Sequence, residues 1–416
     1  MDSKKVKPDI VIKNCNQILT VKENSPDLVG LIKDGWIGIK DEEIVFVGGK
    51  EDYNRIINDK EALIIDATNK VVAPGFVDSH THLVFGGSRV KEYVAKLITD
   101  DLEELKEKGI KTGIYASIEM TKEATEENLI EESLAKLNNM MASGTTTVEI
   151  KSGYGLDIDT ELKQLKVIKK LNEISPLDIH STFLGAHGWP QDMTKPKYID
   201  FLIKESLPIV AENNLAEYCD IWCDDGYYTA EESYKILKAG RDLGLEPRIH
   251  TDAYSYIGGS DLAADMKMAS ADHLNYTPLS AIKKLAKARV PGVLLPGTDF
   301  SVNHPKPFDP RPMIEEGMVI ALATNLNPGN WVESMQFIIA LACRRHNMRP
   351  EEAIRAATLG GAYVLGINHN CGSIEVGKLA DIQIWNTNNF EDIAYKLGGN
   401  LIDKVIKRGK LVVDNS

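Results

Sequence analysis

No apolar run in this chain of 416 residues approaches the roughly 20 residues needed to cross a bilayer, so no membrane partner is expected. The opening residues, Met1-Asp2-Ser3-Lys4-Lys5-Val6-Lys7, lack the apolar core of a signal peptide. Cysteine is scarce. The five present are an odd number spread over a long chain, which fits a reduced, cytoplasmic protein better than a disulfide framework. Basic charge is also short: the formal net charge is -13, which argues against a nucleic-acid partner. It leaves an anionic small molecule open, because one arginine can dominate one pocket. Low-complexity segments and short-period repeats are absent too.

What is present is an ordinary globular composition, 43% hydrophobic and 26% charged. The length suits a barrel of about 250 residues or more plus a second unit. Both ends of the chain read as short strands and turns. Ile10-Val11-Ile12, Gln17 to Val21, Trp36 to Ile39 and Glu43 to Val47 are strand candidates, with Asp34-Gly35 and Gly48-Gly49 as turn signals. Gly372 to Lys378, Ala380 to Trp385 and Val405 to Val413 repeat that texture. Residues 1–70 and 366–416 are therefore expected to form one composite β-sandwich.

Residues 71–365 alternate strand and helix. The strand candidates are Val71 to Asp78, Thr145 to Ile150, Asp178 to Leu184, Glu217 to Trp222, Pro247 to His250, Ser270 to Leu274, Gly292 to Leu295 and Val319 to Thr324. Between them lie helical patterns. Leu129, Ile130, Leu134, Leu137 and Met141 share one face, with Gly144 as a stop. Thr229 with Glu232 is a capping box, and Pro350 suits a first helical turn. Alternation of this kind predicts an α/β fold, a (β/α)8 TIM-like barrel.

In such a barrel the active site lies at the C-terminal ends of the strands. The first strand runs into His80-Thr81-His82, whose imidazoles, two residues apart, project to one face and suit a zinc or iron site. Arg89 follows. The other strand ends carry Lys151-Ser152-Gly153-Tyr154-Gly155, His187, His250-Thr251-Asp252, Asp272-His273 and Asn325 to Asn330. Five of the nine histidines fall at these ends, which a random scatter would rarely produce. Taken singly, His187 and His273 read as structural histidines, Arg89 as a surface ion pair and Tyr154 as a turn residue. His180, His304, His346 and His369 read as structural or solvated. Cys219 and Cys223, without a second ligand pair nearby, read as core, and Lys151 as part of a substrate loop rather than a modified metal-bridging lysine.

Pro74 to His82 resembles the first-strand signature of the amidohydrolase superfamily, and Gly372 to Asp381 its closing β-domain signature. Glu149 to Leu156, Thr182 to His187 and Ser270 to Leu274 are similar to the imidazolonepropionase family, which opens the imidazolone ring in histidine breakdown. The resemblance covers nearly the whole chain. It implies one divalent metal, zinc or iron, held by His80, His82, His250 and an acidic residue after the eighth strand. It implies that Arg89 and Tyr154 hold the substrate's carboxylate tail, that His187 contacts the ring region and that His273 lies beside the nucleophilic water. Asn327, Gly329 and Asn330 would line the same pocket, and a homodimer is usual in the family. Two positions depart from the pattern. Asn325 stands where the metal-binding aspartate belongs, and Ala253 where a glutamate does. Asn325 keeps a ligand oxygen but is neutral and cannot take the water's proton. Asp252, Asp272 and Asp299 are candidates to replace the lost acids. The alternatives are a related deaminase acting on another ring, and a catalytically impaired binding homologue.

Overall fold

The computed structural model describes residues 5–99 and 101–415. The first five strands are β1 (Ile10–Leu19), β2 (Leu31–Lys40), β3 (Glu43–Gly49), β4 (Leu63–Asp66) and β5 (Val71–Pro74). Eight follow, separated by helices: β6 (Phe76–Asp78), β7 (Thr145–Lys151), β8 (Asp178–Ala186), β9 (Tyr218–Cys223), β10 (Glu246–Thr251), β11 (Ser270–His273), β12 (Gly292–Leu294) and β13 (Ile320–Leu322). Three more close the chain: β14 (Ile382–Trp385), β15 (Ile402–Lys407) and β16 (Lys410–Asp414).

Strands β6 to β13 pair in sequence order, each parallel to the next, at the positions the alternating pattern predicts. The predicted helix signals also hold. Thr125 caps the helix Glu126–Ala142 by accepting from Asn128 N, and Thr229 and Glu232 form the capping box of Ala230–Asp242. The seam between β13 and β6 is closed by a side chain and by loop backbone. Asp78 accepts from Thr324 N at 3.1 Å and Thr324 Oγ1 at 2.6 Å, while Asn325 N donates to His80 O at 3.1 Å and His82 N to Leu326 O at 2.9 Å. These bonds bring the two strand ends that carry His80, His82 and Asn325 together.

The two chain ends associate as expected, and their hydrogen bonds make one continuous eight-stranded mixed sheet, β16-β15-β14-β5-β1-β2-β3, with β4 beside β1. Its two ends meet through residues 378–380. Ile44 N donates to Lys378 O, Ala380 N to Glu42 O and Gly409 N to Ala380 O. The face enclosed is rich in isoleucine, including Ile12, Ile18, Ile37, Ile39, Ile382 and Ile406. Two sequence expectations are corrected. Val71 to Asp78 is two strands, because the chain leaves the end sheet at Gly75. A Cβ there would lie 2.2 Å from Thr146 Oγ1, so only glycine fits the crossing. Gly372 to Lys378 is not a strand but a turn-rich link, with one isolated bridge between Glu43 and Leu379.

Candidate active site at the barrel mouth

Side chains two apart on a strand share a face, and this rule builds the barrel interior. Glu149 and Lys151 on β7, Asp220 on β9, Arg248 and His250 on β10, and Ser270 and Asp272 on β11 all point inward and meet. Glu149, Lys151, Asp220, Arg248 and Asp272 have fully buried side chains. Lys151 Nζ lies 2.9 Å from Glu149 Oε1 and 2.9 Å from Asp220 Oδ2. Arg248 Nη2 lies 3.2 Å from Asp272 Oδ2 and 2.7 Å from Ser79 O, and its Nε lies 3.1 Å from Ser270 Oγ. Thr182 donates to Glu149.

This charged layer stands directly behind three histidines. His80, His82 and His250 are buried, and one ring nitrogen of each lies within 4.8 Å of the others. Asp272 Oδ2 is 2.6 Å from His80 Nδ1, and Asp220 Oδ2 is 3.0 Å from His250 Nδ1. A carboxylate against Nδ1 leaves Nε2 to face an ion. His250 Nε2 and His82 Nε2 are 3.3 Å apart, and His80 Nε2 is buried without a partner among the described residues. Two nitrogens on one tetrahedral zinc at 2.0–2.1 Å would be about 3.3 Å apart, so the donor set fits one metal ion. Burial, and then the nearby Lys151 charge, hold the His80 imidazole well below its ordinary pKa, and burial and His187 do the same for His82. Both rings are therefore held neutral, as a metal-binding imidazole must be.

His187 stacks on His82, with centroids 4.9 Å apart and planes at 12°. Its Nδ1 lies 3.1 Å from Gly153 O and donates to it. Burial, then His250, pushes its pKa down to about 3. A histidine held neutral in the fold stabilises it above the unfolded value of about 6.5, and that stability is lost as pH falls toward 3. Metal-free protein should accordingly lose stability across that window. His187→Asn, which keeps a donor for Gly153, should flatten the loss by about 5 kcal/mol at full protonation, read from urea midpoints against pH. An unchanged slope would show that His187 is not buried neutral.

Tyr154 is 5.6 Å from His187 and 5.9 Å from His82, ring to ring. Burial raises its phenol, and the Arg89 charge opposes the rise. Arg89 is held from behind: Nε and Nη2 donate to the buried Glu92 at 2.6 and 2.7 Å, while Nη1 lies over Gly329. Asn327 Oδ1 accepts from Gly329 N and Asn330 N, and Asn330 Nδ2 donates to Thr324 O and Asn325 O. Both amides thus build the loop that shapes this wall. His273 has φ +83°, in the left-handed region that a histidine rarely enters. Its ring stands edge-on to His80, 5.9 Å away, and tilted at 41° to His250, 5.4 Å away.

Asn325, with φ +48°, donates from Nδ2 to Thr298 Oγ1 at 2.8 Å, and its Oδ1 is buried with no partner among the described residues. Ala253 is buried, and its carbonyl accepts from His304 Nε2 at 2.9 Å. His304 Nδ1 accepts from Lys306 N, so both nitrogens of that ring are used. The three carboxylates considered as substitutes are engaged elsewhere. Asp252 accepts from Thr251 and Thr277, Asp299 from Asn275 and Phe308 N, and Asp272 serves His80 and Arg248. Sequence reasoning missed Glu92, Asp220 and the pairing of Asp272. The signal was there in the alternation Glu149-Ile150-Lys151 and Arg248-Ile249-His250, and in the i,i+3 spacing of Arg89 and Glu92. Cys219 and Cys223 are buried core residues, as expected.

Two patterns described as "Amidohydrolase family" match this chain, at residues 226–412 and 63–112. An imidazolonepropionase of Alkaliphilus metalliredigens is 43% identical, with 98% of each chain covered. One of Geobacillus kaustophilus is 42% identical, covering 95% of this chain and 93% of the relative. The chain belongs to the imidazolonepropionase family. Solved structures share the amidohydrolase fold at lower identity. A zinc-bound adenosine deaminase from Xanthomonas campestris superposes with a TM-score of 0.72 at 17% identity, covering 99% of this chain and 94% of that one. An atrazine chlorohydrolase of Arthrobacter aurescens complexed with zinc gives 0.66 at 18%, covering 98% and 95%. Among the family's positions, His80, His82 and His250 converge as the resemblance implies, whereas 325 and 253 carry no acid.

Proposed function

We propose that this imidazolonepropionase-family chain hydrolyses the cyclic amide of 4-imidazolone-5-propanoate, yielding N-formimidoyl-L-glutamate. Water adds to the ring carbonyl carbon, the C–N bond breaks, and the ring nitrogen leaves with a proton. The observation that carries this reading is Tyr154 beside the three-histidine cluster, 5.9 Å from His82 ring to ring, with the Arg89 charge acting on its phenol. A phenol and a cation there suit the carboxylate tail of a small ring substrate. One zinc or iron ion, held by His80, His82, His250 and Asn325 Oδ1, would supply the Lewis acidity that makes water nucleophilic at neutral pH. His273, neutral because burial holds its pKa well down, takes a proton at a ring nitrogen and returns it to the leaving nitrogen. His187 orients the ring, and Asn327, Gly329 and Asn330 line the tail's side. A small-molecule substrate, a homodimer and a cytoplasmic setting complete the proposal.

Metal analysis with an imidazolone-propanoate turnover assay tests it. Turnover dependent on one bound ion is the expected outcome, and a chain that holds metal without turnover would move the reading to a related ring hydrolase. A second reading, a metal-poor binding homologue, is favoured by Asn325 and Ala253, and the same assay separates it. Arg89→Lys should raise KM roughly ten- to a hundredfold at unchanged metal content, because a point charge cannot hold Glu92 through two bonds and still present a fixed donor to the carboxylate. An unchanged KM would put the carboxylate elsewhere.

A further inference from the structure

Trp222 occupies the inward-facing position at the top of β9. Tyr218, Asp220 and Trp222 alternate on that strand, and Asp220 reaches Lys151 and His250 inside the barrel. The register pairs Trp222 with His250, which sets the indole at the level of the three-histidine cluster. One face of the ring is fixed by Tyr227, stacked at 3.7 Å and 15°. Its centroid lies 5.5 Å from His187. Its Nε1 is buried and has no hydrogen-bond partner among the described residues. An indole N–H can only donate, and leaving it unmet in a buried site is unfavourable.

The neighbouring groups narrow what can meet it. His187 donates from Nδ1 to Gly153 O, so in the neutral ring its Nε2 is a bare acceptor. Asn325 Nδ2 is committed to Thr298, and Arg89 Nε and Nη2 to Glu92. A donor from Trp222 beside an acceptor from His187 complements one edge of a cyclic amide, where a carbonyl oxygen adjoins an N–H. We propose that Trp222 is a further substrate-contacting residue. Its Nε1–H donates to the carbonyl oxygen of the amide to be cleaved, while His187 Nε2 accepts from the adjoining ring N–H. The assignment rests on the function proposed above and adds to it a determinant of selectivity for rings that carry a carbonyl at that position. As water adds, the carbonyl oxygen gains negative charge, so the donated bond strengthens along the reaction and its loss appears mainly in kcat.

Trp222→Phe keeps an aromatic face for Tyr227 and His187 and deletes only the N–H. The expected result is a drop of about 10- to 100-fold in kcat/KM, carried by kcat, with metal content and Tm unchanged. In 15N-indole spectra of the metal-loaded, unsubstituted protein, the signal absent from Trp222→Phe should shift when N-formimidoyl-L-glutamate is added. Should Trp222→Phe fail to fold, the spectra of the unsubstituted protein still decide, since no shift in any indole signal overturns the assignment. A variant within twofold of the unsubstituted kcat/KM overturns the Trp222 assignment while the function stands. No turnover and no product binding by the unsubstituted protein overturns the function, and Trp222's role falls with it.

Discussion

Lys151→Met should cost the fold about 3–5 kcal/mol, the price of leaving buried carboxylates without their cation. Three carboxylates, Glu149, Asp220 and Asp272, share this chamber with two cations, Lys151 and Arg248. One net negative charge is therefore balanced only by whatever faces the histidines. Removing Lys151 raises that imbalance to two charges in a region closed to water. Glu149 keeps Arg248 and Thr182, so Asp220 is the group left most exposed to the loss, since Lys151 is its nearest cation. Asp220 is held well below the carboxylate range, against the push of burial, by His250 and Lys151. The metal-loaded form should lose less stability than the metal-free form, because a bound cation replaces part of the missing charge. Paired denaturation curves with and without zinc read both effects. Equal losses in the two forms would mean that the layer is held by packing and not by charge balance.

The same layer explains what the sequence made legible and what it did not. All eight barrel strands were visible from their regular alternation with helical patterns and from the polar residues that follow them. The histidines at their ends were visible for the same reason. The charges inside were harder to place. Lys151 in Glu149-Ile150-Lys151 reads as the start of a substrate loop, and only the convergence of β7, β9, β10 and β11 shows that it is fully buried among carboxylates. Pro74-Gly75 interrupts the run, but nothing in Val71 to Val77 says that its halves belong to different sheets. Trp222 ended a predicted strand without any sign of function. Its meaning comes from the register with His250 and from a missing hydrogen bond, which are tertiary facts.

Asn325→Asp should tighten metal retention by at least about 10- to 100-fold, the range lost when outer partners of metal ligands are removed. The backbone accepts the change. Asn325 sits at φ +48°, a conformation that aspartate also tolerates. Thr298 Oγ1, which accepts from Asn325 Nδ2, can rotate to donate to a carboxylate instead. The fold therefore gives the substitution no reason to fail except through charge. Asparagine presents a buried, unpartnered Oδ1, so it keeps an oxygen available but brings no charge to the donor set and takes no proton. Asp252, Asp272 and Asp299 do not fill that gap, because each is bound to other partners. The unsubstituted chain should accordingly hold metal weakly and turn over slowly beside its aspartate variant. Ala253→Glu added to Asn325→Asp should raise turnover further. The two effects should be non-additive if both carboxylates serve one water. Metal titration with a competing chelator reads the first effect, and kcat of the single and double variants reads the second. Firm metal binding and fast turnover by the unsubstituted chain, with the double variant no better, would overturn this reading of Asn325 and show that its Oδ1 needs no charge to hold the ion.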